Sequence, residues 1–333
     1  MAAIYSTLSA SQQQLYRTIQ SKLEAFQTEF EISRVPFDDI TDIYQAVLED
    51  HPEYFWVKGS SRGTTHTLGG RLVSVDYRPE YTEAASTGRL QNERTRFDAK
   101  VTELILLAKR HSPDVYAQIL FLHDYLVTHT EYREVKPHCY DAYGCLMLGQ
   151  AVCAGYAAAF HVLMNRLGVE CGRMHGMSAS AMTGEVTHAW NYVRLSDGYY
   201  FIDVTWDDPV VSNGSGSDNL SHEYFGLNLN ELLLTHRITQ GQFVPRNYGY
   251  KYNYYLYHGM YLDRYSFDAV KRIAQKQLLR GDKFFVKFAT PSQLQLAKQE
   301  LVDRQRVYDI PGVSNRITCG TSKSGLILHI ANR

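Results

Sequence analysis

The 333-residue chain lacks most of the marks by which composition alone narrows a protein's class. Its five cysteines, Cys139, Cys145, Cys153, Cys171 and Cys319, are odd in number and show no CxxC or other paired short spacing. That argues against a disulfide framework and favours reduced thiols in a cytosolic setting. His123, His129 and His138 fall near Cys139 and Cys145, but without zinc-ligand spacing, so a zinc site is the weaker alternative. No stretch approaches the ~20 apolar residues of a membrane span. The opening MAAIYSTLSASQQQLY has neither a basic leader nor an apolar core, so a cytoplasmic location is expected, with non-classical secretion left open. Net charge is −1, which gives no global reason to expect nucleic acid or an anionic membrane as partner. There is no EF-hand-type ligand run, no internal repeat and no low-complexity tract, and no metal or cofactor is expected.

Hydrophobic residues make up 44% and charged residues 21%, the balance of a soluble globular protein. The length suggests two or three subdomains. Twenty-five tyrosines suggest either an amphipathic binding surface or tyrosine-rich packing. Leu15, Ile19, Leu23 and Phe26 predict a helix over 9–30, with Ser9 or Ser11 as cap, and Ile40, Ile43, Tyr44 and Val47 predict a second over 39–48. Strands are expected at 54–58 and 71–77, joined by a Gly/Ser/Thr loop at 59–70. Helices over 79–111 and from Pro113 to Val127 complete a mainly helical region over 1–112 and open a central one over 113–240. Segment 211–219 (VSNGSGSDN) reads as a lid or a plain surface loop. Residues 227–236 read as a short helix. Tyrosines at every second position from 248 to 254 would line one strand face. Helices 267–279 and 292–304, with strands 284–288 and 325–330, make 241–333 a small α/β unit with a Tyr-rich segment.

The chain centres on AVCAGYAAAFHVLMNRLG, 151–168. Ala157, Phe160, Leu163, Met164 and Leu167 recur at helical spacing, and Gly168 is a stop signal. Cys153 stands where the approach YGCLMLGQAV becomes this helix, near unpaired backbone N–H groups and the positive end of the helix dipole. A thiol is nucleophilic as thiolate, so it needs such a local cause for ionisation, and the same amides can stabilise an oxyanion. A buried free cysteine would be the blander reading of the helix taken alone. His188 changes that balance. It lies in the strand-like THAWNYVRL, and Asp203 follows in YYFIDVTWDDP. An aspartate in such an apolar run is costly to bury unless something accepts its charge. The two share a face if the intervening loop has an even number of residues. A loop at 194–197 would set them directly opposite, and a turn at Asp197-Gly198 would shift the register. Cys153, His188 and Asp203 are then nucleophile, base and the group that orients the base. Asp207 and Asp208 are expected to cap a turn before Pro209.

The ordered blocks AYGCLMLGQAVCAGYAAAF, HAWNYVRL and YYFIDVTWDDP resemble the transglutaminase-like (transglutaminase/protease-like) superfamily of papain-related thiol enzymes, over about 120–209. Weaker echoes occur in LHDYL, EDHPEYFW and NYYLYHGMY, as in bacterial members. The resemblance implies an α+β fold. Its papain-like core would be a helix bearing the cysteine packed on an antiparallel sheet bearing His and Asp, between an N-terminal helical part and a small C-terminal α/β unit. It implies attack by Cys153 on an amide carbonyl of a protein or peptide to give a thioester. Water would then give deamidation or proteolysis, and an amine would give acyl transfer. The alternative is a noncatalytic binding or scaffold module, which predicts a missing triad member, and none is missing. Beside the Cys153 backbone N–H, Gln150 and Tyr143 are candidate oxyanion donors, and Trp190 resembles a slot of the motif that walls the site. Substrate identity and oligomeric state stay open.

Overall fold

The computed structural model describes residues 4–86, 88–180, 184–208 and 220–333, so the 211–219 segment and Pro209 lie outside the described residues. The chain groups into two compact units. One comprises Met1–His175, His188–Arg194 and Asp203–Leu220, and the other Gly176–Thr187, Leu195–Ile202 and Ser221–Arg333.

In the first unit, helix Ala10–Glu24 starts at Ser9, whose side chain accepts from the Gln12 N–H while the Gln12 side chain accepts from the Ser9 N–H. This reciprocal cap satisfies two amides that the helix start leaves without partners. Its buried Tyr16, Ile19 and Leu23 belong with the face of helix Phe37–Asp50 that buries Ile40, Ile43, Tyr44 and Val47. Strand Arg71–Tyr81 lies between Phe30–Ser33 and Val57–Leu68 in a three-stranded sheet. The expected loop at 59–70 is therefore mostly strand. Its turn is Gly69-Gly70, with φ of 57° and 76°, the positive values a primed two-residue hairpin turn requires. Nearly every side chain from Val57 to Leu68 is exposed, so apolar alternation could not mark this strand.

Helices Leu90–His111, Val115–His129 and Cys153–Leu167 pack on one another around Phe97, Val101, Leu104, Leu122, Phe160 and Leu163. Asp114, not Pro113, is the residue that opens the second of these, accepting from the Ala117 N–H. Strands Cys171–Ser180, Gly184–Leu195, Gly198–Ile202, Phe225–Leu227 and His236–Ile238 follow, with His236–Ile238 antiparallel to residues 176–178 and Gly198–Ile202 antiparallel to Phe225–Leu227. The sequence reading of 227–236 as one helix gives way to two short strands around a single turn, Leu229–Leu232, which Asn228 and Glu231 cap reciprocally.

The second unit holds a four-stranded sheet in the order Tyr261–Leu262, Lys283–Phe288, Ile327–Asn332, Ile317–Thr321. Helices Phe267–Leu278 and Pro291–Lys298 contribute Val270 and Leu294 to a core with Phe284, Val286, Phe288, Leu328 and Ile330. The alternating tyrosines do not form a strand. The Asp197 carboxylate accepts from the N–H groups of both Tyr250 and Lys251 at 3.1 Å, which gathers the backbone into a turn before the short helix Tyr254–Tyr257. No helix among the described residues is long and apolar enough to cross a membrane.

Candidate active site

Cys153 is the first residue of its helix, and the preceding Val152 is extended and provides no side-chain cap. The backbone there is held from outside. The Val152 N–H donates to the Cys139 carbonyl at 2.9 Å, and Gln150–Ala151 pairs in parallel with Glu131–Tyr132. The small residues after Cys153 have a specific use at Gly155, where a Cβ would stand 2.7 Å from the Cys139 carbonyl oxygen and 2.8 Å from the Ala151 Cβ. Only glycine lets the 139–141 backbone lie this close to the first turn. Cys139, Cys145 and Cys171 are buried, Cys319 is exposed, and Cys153 is half-buried.

His188 and Asp203 reach the same place from successive strands. The turn between those strands is two residues, Ser196 and Asp197, an even count as a shared face requires. Asp203 is not in the strand, however. Gly198–Ile202 ends one residue earlier, and Asp203 caps the one-turn helix Val204–Asp207. One carboxylate oxygen accepts the Trp206 N–H at 3.1 Å, and the other lies 2.7 Å from His188 Nε2. The Cys153 thiol lies beside the same ring and favours its charged form. His188 is 6% exposed and Asp203 1%. Burial alone would push the imidazole pKa down. The charge and hydrogen bond of Asp203, with Cys153 beside it, overcome that and raise it from the ordinary 6.5 to about 10.

Trp190 and Trp206 flank the His188 ring, with centroids 6.0 and 5.8 Å away. For Trp206 the available sequence signal is its place in the first turn after an Asp cap. Gln150 and Tyr143 turn elsewhere. The Gln150 amide reaches the Glu131 carboxylate at 3.5 Å, and Tyr143 is buried among Phe55, Phe97 and His138. A phenol that comes within reach of the cysteine is Tyr132, whose hydroxyl lies near the Cys153 backbone N–H. No sequence signal points to it, since the parallel pairing of 131–132 with 150–151 joins segments almost twenty residues apart.

Buried charges fix the surroundings. His123, fully buried, sits 2.9 Å from Asp124 and 3.2 Å from Asp207, whose side chain is also fully buried. Burial opposes its charge, yet the two carboxylates raise it to about 9. Asp207 and Asp208 are thus anchors: Asp207 faces His123, and Asp208 accepts from the Tyr156 hydroxyl at 2.5 Å. Arg173 holds Glu49 through two hydrogen bonds of 3.0 and 2.7 Å. Further along the same strand, the Asn191 amide donates to the Ala157 carbonyl at 3.0 Å and ties the histidine strand to the cysteine helix.

Residues 107–204 match the family profile described as the transglutaminase-like superfamily. No curated protein matches the chain. Among solved structures, one described as a TGase is 14% identical, with 43% of this chain aligned to 44% of that one at a TM-score of 0.29. A second, described as a candidate cysteine protease from Cytophaga hutchinsonii, is also 14% identical, with 45% of this chain aligned to 63% of that one at a TM-score of 0.27. The chain spans less than two thirds of either. The profile match takes in Cys153, His188 and Asp203 together, and over residues 107–204 this chain is similar to the core of the transglutaminase-like superfamily.

Proposed function

We propose that the protein is a thiol enzyme that opens an amide bond of a protein or peptide through a thioester on Cys153. The observation that carries this reading is the convergence of a cysteine at an uncapped helix start with an imidazole and a buried carboxylate. His188, kept cationic at neutral pH by Asp203, faces the sulfur as its proton partner. The sulfur attacks the carbonyl carbon, and the carbonyl π pair moves onto oxygen. Collapse expels the amine, which takes the proton from His188, and leaves the thioester. Water then releases an acid, or a second amine takes the acyl group. Trp190 and Trp206 beside the ring exclude water from the His188–Asp203 bond, which strengthens it. The five free cysteines support a reducing, cytoplasmic setting.

The test has two parts. Brief iodoacetamide treatment near neutral pH, followed by peptide mapping, is expected to label Cys153 ahead of Cys319, and His188→Ala is expected to remove that preference without unfolding the chain. Intact masses of mixed protein substrates, with and without a primary amine, then read the chemistry. Deamidation adds about 1 Da, amine transfer adds the amine less ammonia, and proteolysis gives fragments. No Cys153 preference and no mass change would leave the chain as a noncatalytic module of this superfamily.

A further inference from the structure

We propose that Tyr132 is a catalytic residue whose phenol supplies the second oxyanion donor at Cys153, an assignment that rests on the thioester reading above. Three observations place it. The Glu131 N–H donates to the Gly149 carbonyl at 2.8 Å and the Arg133 N–H to the Ala151 carbonyl at 2.9 Å. This fixes the Tyr132 backbone beside the last residues before the nucleophile. Its ring stacks on Tyr156, one turn into the cysteine helix, with centroids 6.4 Å apart. The parallel pairing and the ring stack bring its hydroxyl near the Cys153 backbone N–H. That amide is the donor a papain-like attack needs for the developing oxygen anion, so the phenol already lies beside the position the anion will occupy.

The chemistry of the group fits. A hydroxyl accepts and donates, so in the resting protein it is able to receive the Cys153 N–H beside it. When a substrate carbonyl oxygen enters, it takes that fixed N–H in place of the phenol oxygen, and the phenol O–H is released to donate to the same oxygen. As the sulfur bonds to carbon and the π pair moves onto oxygen, both donors strengthen, and no proton leaves the phenol. Tyr132 is 40% exposed, so its ring can shift by the small distance this exchange requires. The neighbouring Tyr156 cannot take the role, because its hydroxyl is engaged with the Thr130 carbonyl at 2.8 Å and with Asp208.

The experiment compares two reactions at one sulfur in the full chain. Acylation by p-nitrophenyl acetate passes through an oxyanion; alkylation by iodoacetamide does not. Tyr132→Phe keeps the ring on Tyr156 and is expected to slow the p-nitrophenolate burst at least roughly tenfold. Alkylation of Cys153 is expected to stay within about twofold of wild type, since that displacement at carbon builds no charge on a carbonyl oxygen. Equal slowing of both reactions would mean a merely structural tyrosine, and acceleration of both would mean a gate over the thiol; either overturns the assignment. A burst in wild type that Cys153→Ala abolishes but Tyr132→Phe leaves intact would overturn it while sparing the thioester reading. A wild type with no Cys153-dependent burst would overturn both.

Discussion

At His188 two large effects oppose each other, and the balance decides what the residue can do. Removal from water disfavours the imidazolium, while a carboxylate 2.7 Å away favours it, and the result lies at about 10. Replacing Asp203 by Asn keeps the shape and removes the charge. An NMR titration of the His188 ring should then show its midpoint falling from near 10 by at least about one unit, with burial now the dominant effect. An unmoved midpoint would show that Asp203 does not hold the ring. The identities of Cys153, His188 and Asp203 as candidates were legible in the sequence because an aspartate in an apolar run and a cysteine at a helix start are both anomalous there. Tyr132 was not legible, because an exposed tyrosine in a two-residue strand breaks no local rule.

At the scale of elements, the cysteine helix is positioned by backbone more than by side chains. The Cys139 carbonyl accepts the Val152 N–H and also presses on Gly155, so loop and helix start form one rigid corner. Gly155→Ala puts a methyl 2.7 Å from that carbonyl oxygen, and the corner must open. The expected loss is about 1–3 kcal/mol in denaturant unfolding, with Cys153 labelling slowed as its helix start moves. A variant as stable and reactive as wild type would mean the corner is not tight. The helices with long apolar faces were legible from spacing, with ends shifted by a few residues. The elements that escaped share a cause. Val57–Leu68 is exposed along its length, the Tyr248–Tyr254 stretch is bent by the distant Asp197 carboxylate, and Ile317–Thr321 depends on pairing with Ile327–Asn332. Local pattern carries no record of such partners.

For the whole molecule, buried ionisable groups predict a stability maximum near pH 6.5. His188 and His123, raised to about 10 and 9, bind protons in the folded chain that the unfolded chain releases above about 6.5. Their stabilisation is complete below that pH and is lost as pH rises through 9 and 10. His161 acts in the opposite sense. Burial, aided by Arg173, lowers it to about 3, so unfolding takes up a proton below 6.5 and stability falls as pH drops toward 3. Glu49 adds to the acid side: burial would raise it, but Arg173 brings it from 4.5 down to about 2. Thermal melts between pH 4 and 10 should therefore peak in the middle, with Tm several degrees lower at either end. A Tm that climbs steadily from pH 6.5 to 9 would contradict the assigned charge states of both raised histidines.

The sequence by itself made legible the resemblance over the central segment, the candidacy of Cys153, His188 and Asp203 and most of the helices, because those features are written in spacing and in residues costly to place otherwise. Only the tertiary structure decided that Asp203 caps a helix instead of lying in a strand, that Gln150 and Tyr143 turn away, and that Tyr132 pairs beside the residues before Cys153. Those outcomes hang on hydrogen bonds between residues far apart in the chain, and such bonds exist only once the backbone has closed around them.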